Sequence, residues 1–76
     1  MSSHRIEAWF FEALAHCGAD LTELKGHATF EALGVGAAEL AALARRLQRE
    51  LGIALGVAEI GRTVGEAIER AAARAA

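Results

Sequence analysis

Three histidines, His4, His16 and His27, and one cysteine, Cys17, are the side chains best suited to hold a metal or attack an electrophile. Their spacing argues against both roles. His16 and Cys17 are adjacent, so on a helix they point about a hundred degrees apart, and no pair shows a recognised zinc spacing. Cys17 falls on the apolar stripe of its segment, which predicts a buried, inert thiol. No nucleophile is paired with a base that would activate it, so the residues do not describe an enzyme. Gly34 and Gly36 form a Gly-x-Gly ahead of a helix. The third glycine, the lysine and the preceding strand of a phosphate cradle are all missing. Arg45, Arg46 and Arg49 cluster, but Glu39 and Glu50 flank them and the net charge is −2. That pattern reads as a solvated helix face and argues against a nucleic-acid binder, including the helix-turn-helix that a small helical domain could form.

The elements behind these residues are helical. Of 76 residues none is proline, and much of the 54% hydrophobic share is alanine, which loses no side-chain entropy in a helix. From about His4 to His16, Ile6, Trp9, Phe10, Ala13 and Leu14 recur at three- and four-residue steps. Ser2 or Ser3 would cap this helix and Gly18 would stop it. Phe11 lies off the stripe and is expected to pack under the following loop. Ala19 to Thr29 lack a period and read as a long ordered loop with Leu21 and Leu24 tucked inward. Phe30 and Leu33 then form a short turn that pins the loop to the core.

A second long helix is expected over Ala37 to Leu51. On a wheel, Leu40, Leu43, Ala44, Leu47 and Leu51 fall within about a hundred degrees, the width of a core-facing stripe. Gly52 ends it. Ala58 to Ile60 give one short helical turn. The last helix starts at Thr63, with Glu66 three residues on as in a capping box, and Val64, Ala67, Ile68 and Ala71 line its inner face. The order predicts an all-α fold. It is a small four-helix bundle with a long loop after the first helix and a short third helix, one domain over residues 1–76. A single cysteine, no apolar run of membrane-spanning length and no signal-peptide layout predict a cytoplasmic protein.

The stretch Phe30-Glu-Ala-Leu-Gly-Val-Gly-Ala-Ala-Glu-Leu resembles the central motif of acyl and peptidyl carrier proteins. In that family a phenylalanine and a leucine-glycine pair precede Asp-Ser-Leu, and the serine starts the second helix. Ala-Arg-Arg-Leu-Gln-Arg-Glu-Leu-Gly-Ile, from Ala44, resembles the end of that helix. Thr63-Val64 resembles the pair that opens the last one. Trp9, Leu14 and Gly18 resemble the first helix of modular polyketide synthase carriers. The likeness covers nearly the whole chain and implies an acyl-carrier-protein-like bundle.

The family's chemistry rests on one serine hydroxyl, which takes 4'-phosphopantetheine from coenzyme A and so gains a flexible thiol-tipped arm. The resemblance aligns Gly36 with the aspartate, Ala37 with the serine and Ala38 with the leucine. A methyl group cannot accept a phosphate, so the chain as written carries no cofactor. It would carry 4'-phosphopantetheine if position 37 were natively serine. Two origins stay open: a deliberate serine-to-alanine change, or a natural degenerate carrier kept for docking. Three altered positions in a row point to the second, although the aspartate and leucine positions vary among synthase carriers. The resemblance further implies a monomer that meets synthase enzymes such as a ketosynthase or acyltransferase, with Val35, Gly36, Ala38, Ala41 and Arg45 around the docking surface. The alternative is a non-catalytic helical docking or scaffold domain with the same fold.

Overall fold

The computed structural model describes residues 2–18 and 28–75. Among the described residues four helices follow one another: α1 Ser3–His16, α2 Ala37–Leu51, α3 Val57–Ile60 and α4 Val64–Ala75. The all-α, four-helix expectation holds, and the described residues contain no strand. The expected inward placement of Leu21 and Leu24 lies outside the described residues.

Each helix end has a local cause. The Ser2 side chain accepts from the Arg5 N–H at 3.3 Å and caps α1. The Thr63 hydroxyl accepts from the Glu66 N–H at 3.1 Å and donates to the Glu66 carboxylate at 3.1 Å, so the capping pair expected at α4 forms. α2 stops at Gly52, whose φ of 69° is left-handed and whose N–H bonds the Gln48 carbonyl at 3.0 Å. Gly61 is needed for a second reason. At φ 97°, a Cβ there would lie 3.0 Å from the Arg70 guanidinium and 3.0 Å from the Glu66 Cβ.

The core takes Ile6, Phe10 and Leu14 from α1, Leu43 and Leu47 from α2, Ile60 from α3 and Val64 from α4, all essentially buried. No buried residue among those described is polar, so hydrophobic burial alone fills the interior. α4 packs on α1 and α3. Ala67 and Ala71, one turn apart and fully buried, keep the inner face of α4 flat. The alanine-rich end of the chain is therefore the continuation of a packed helix.

Before α2 the chain turns over residues 30–34, and Phe30 and Leu33 are buried as expected. The Phe30 N–H bonds the Arg62 carbonyl at 3.0 Å, and the Val64 N–H bonds the Ala28 carbonyl at 3.1 Å. This isolated antiparallel bridge between Thr29 and Thr63 ties the approach to α2 to the approach to α4.

Candidate functional site

The start of α2 is open and built from small residues. Gly36 is its N-cap, extended at φ −86° and ψ −176°, and its carbonyl accepts from the Leu40 N–H at 2.9 Å. With no side chain, it leaves the first N–H groups without a side-chain cap. The Glu39 carboxylate folds back towards it: a Cβ at position 36 would meet Glu39 Oε2 at 3.0 Å. Its negative charge complements the positive end of the helix dipole. Ala37, the first helical residue, is exposed, as are Gly36 and Ala38. The site is exposed and small-sided, and its first helical side chain, Ala37, is a methyl group without a hydroxyl.

Nearby hydroxyls are committed elsewhere. Thr29 Oγ1 accepts from the Ala32 N–H at 3.0 Å, inside the turn that leads to α2. Thr63 is held in its cap.

Of the residues expected around a docking surface, Ala38, Ala41 and Arg45 stand at three- and four-residue steps on one face of α2. Gly36 and Ala38 lie at the helix start. Ala41, half-buried, and Arg45, exposed, lie farther along, where they line a groove between α2 and α3. Val35 corrects the expectation: it is only 4% exposed and belongs to the core. Its side chain is simply the next apolar group after Leu33 to turn inward, and it forms the floor of a groove with Phe30 and Leu40. Leu40 was expected in mid-stripe and is half-buried at that groove instead.

Cys17 is a second correction. It is exposed, at the C-cap of α1, one residue beyond the last helical position His16. Among the described residues no group of histidines, cysteines or carboxylates is placed to hold a metal.

Two polar clusters escaped the sequence reading. Arg46 pairs with Glu50 at 2.8 Å, and the Trp9 indole N–H donates to the same carboxylate at 3.0 Å. The Arg46 guanidinium lies 5.6 Å from the Trp9 ring centre, in cation–π range. These hydrogen bonds, first from Arg46 and then from Trp9, hold the Glu50 carboxyl down at about 2, and the same pair raises Arg46. So Arg46 is a fastening between α1 and α2, not a merely solvated side chain. Its i,i+4 spacing to Glu50 was visible; Trp9, 41 residues away, was not.

The second cluster fastens α3. Arg74 donates to the Ala54 carbonyl at 2.8 Å and pairs with the Glu59 carboxylate. Arg70 donates to the Glu59 carbonyl at 2.9 Å. The Glu59 carboxyl is lowered by Arg74 and then by the Gly56 N–H.

Compared with known proteins, the chain matches no curated protein and no solved structure. A family model does match, that of the phosphopantetheine attachment site, over residues 13–71. The matched span runs from the second half of α1 through most of α4 and includes the open start of α2. The chain therefore belongs to the phosphopantetheine attachment site family, the non-catalytic carrier domains of acyl and peptidyl synthases.

Proposed function

We propose that residues 1–76 form one carrier-type domain of a polyketide synthase, or of a related fatty acid or nonribosomal peptide synthase, that does not itself carry the prosthetic arm. The family's group is 4'-phosphopantetheine, held on a serine. The residues at the start of α2 do not fit that attachment. Ala37 occupies the first position of the helix, exposed and without a hydroxyl, and the neighbouring threonines are engaged in caps and turns. The observation that carries the reading is this exposed alanine at the start of α2, inside the span that the family model matches.

In this reading the domain acts in the cytoplasm as a monomer. No helix among the described residues is long and apolar enough to cross a membrane. It meets synthase enzymes such as a ketosynthase or acyltransferase through α2. Two of the expected contact residues, Gly36 and Ala38, support that reading by being exposed and small.

The test is mass spectrometry after incubation with coenzyme A and a permissive phosphopantetheinyl transferase. The chain gains no mass, and the Ala37→Ser variant gains one phosphopantetheine. A folded Ala37→Ser variant that several transferases leave unmodified would instead favour the docking or scaffold domain. The changes at Gly36 and Ala38, beside the missing serine, already lend that second reading some support.

A further inference from the structure

Between α2 and α4, residues 53–60 hold a single helical turn, α3. That turn rests on two bonds to one acceptor: the Glu59 and Ile60 N–H groups both reach the Gly56 carbonyl, at 2.9 and 3.1 Å. One turn is too short to be stable by itself. The segment is bounded by glycines at positive φ, Gly52 at 69° and Gly61 at 97°. It packs on α2 and α4, with Ile53, Leu55 and Ile60 in the core.

Its polar ties come from one place. Among the described residues, every side-chain hydrogen bond that reaches the segment from another helix is donated by Arg70 or Arg74. These two stand four residues apart, on one face of α4, and grip both ends of the segment. Arg74 holds the Ala54 carbonyl at 2.8 Å near its start, and Arg70 holds the Glu59 carbonyl at 2.9 Å near its end. Arg74 also pairs with the Glu59 carboxylate, which in turn accepts from the Gly56 N–H at 3.3 Å. Two of the three ties end on main-chain carbonyls, so they hold the backbone of the segment itself. Both arginine side chains are half-exposed, so water competes for every bond.

We propose that residues 53–60 form a strap that lifts from the bundle as one unit, pivoting at Gly52 and Gly61, and that Arg70 and Arg74 of α4 are the latch that keeps it shut. Lifting withdraws Ile53, Leu55 and Ile60 from the core and uncovers the faces of α2 and α4 on which the segment packs. The change of backbone direction falls on two glycines, which adopt either sign of φ without steric cost. The packing of α1 on α4 stays intact. The device does not involve position 37, so it stands apart from the function proposed above.

The test is native-state amide hydrogen exchange, followed by NMR on the whole chain. The Glu59 and Ile60 amides report the strap. Those of Phe10 and Ala13, in the middle of α1, report opening of the whole bundle. Arg74→Gln removes the ties to Ala54 and to the Glu59 carboxylate and speeds exchange at Glu59 and Ile60 by about fivefold or more. Arg70→Gln removes the bond to the Glu59 carbonyl and speeds it by about threefold. Glu59→Gln spares both carbonyl bonds and changes it by less than about twofold. Ala8→Gly, on the exposed side of α1, loosens the bundle and speeds Phe10 and Ala13 by about fivefold. Glu59 and Ile60 keep the parent's rate in that variant, because the strap opens while α1 stays folded. Equal acceleration of all four amides in Ala8→Gly would overturn the strap, since the segment would then open only with everything else. An unchanged rate at Glu59 and Ile60 in Arg74→Gln would overturn the latch. Glu59 and Ile60 amides without protection in the parent would overturn both.

Discussion

The starts of α2 and α4 follow one plan, an N-cap with a glutamate three residues on: Gly36 with Glu39, Thr63 with Glu66. The segment that leads into α2 is joined to the start of α4 by the Thr29–Thr63 bridge. At α4 a hydroxyl is present and closes the helix by accepting the Glu66 N–H. At α2 the cap is glycine and the first helical residue is alanine, so this start carries no hydroxyl. On the function proposed above, the chain keeps a hydroxyl where it holds the fold and lacks one where it would serve transfer chemistry. Stability and chemistry have been separated, and substitutions at the two starts should show it.

The largest effect is expected away from both starts and sets the scale. Leu47 is fully buried in the middle of α2, and Leu47→Ala should cost about 2–5 kcal/mol in chemical denaturation. That is a large part of a small domain's total stability. A midpoint that barely moved would mean that α2 is not anchored through this face, and the contrast between its interior and its start would vanish.

Next comes the hydroxyl that is present. Thr63→Ala keeps the backbone bridge but leaves the Glu66 N–H without its acceptor, at a cost of about 0.5–2 kcal/mol. Loss within error would show that the α4 cap is ornamental, and the two starts would then be alike. Gly36→Ser places a hydroxyl at the other N-cap. Its φ of −86° suits serine, and the only crowding is the flexible end of Glu39. A gain of a few tenths of a kcal/mol is expected. A clear loss would mean that the fold-back of Glu39 matters more than a cap.

Much of this contrast was legible in the sequence. The α2 boundaries, Leu47 as core and the Thr63–Glu66 pair all follow from periodicity and capping chemistry, which are local. What failed was what locality cannot supply. Cys17 shares the stripe of α1 on a wheel, yet α1 ends one residue earlier. Val35 sits beside exposed Gly36 in sequence, but an aliphatic side chain there turns inward. Leu40 lines a groove with Phe30 and Val35 rather than lying within the core. Arg70 and Arg74 reach backbone carbonyls of Glu59 and Ala54, targets without a side-chain signature.

Acid probes the opposite end of α2. The Glu50 carboxyl, held at about 2 against an ordinary value of 4.5, is a depressed acid. Its contribution is therefore present above about 4.5 and fades as pH falls towards about 2. Because the pair is exposed, the effect on stability is small. Trp9 fluorescence should nevertheless change across that window as its indole N–H loses the Glu50 carboxylate. Amides at Gly36 and Ala37 should not follow it. If they did, the two ends of α2 would not be independent.

The smallest effect on stability should come from the substitution with the largest chemical consequence. Ala37 is exposed at the first position of α2. Ala37→Ser adds one oxygen there, into solvent, at a position where neither core packing nor the bridge to Thr63 is touched. Serine is a weaker helix former than alanine, by up to about 0.5 kcal/mol. At the first turn that penalty shrinks, because the hydroxyl faces helix N–H groups that lack a side-chain cap. The thermal midpoint should therefore stay within about a degree or two. If the midpoint holds and the variant gains a phosphopantetheine, one oxygen separates this chain from a loadable carrier. The open start of α2 would then be an intact acceptor site without its acceptor. If the midpoint holds and no transferase acts, the neighbours Gly36 and Ala38 have also removed what a transferase recognises. The difference between the two helix starts would then extend beyond a single hydroxyl to the whole first turn.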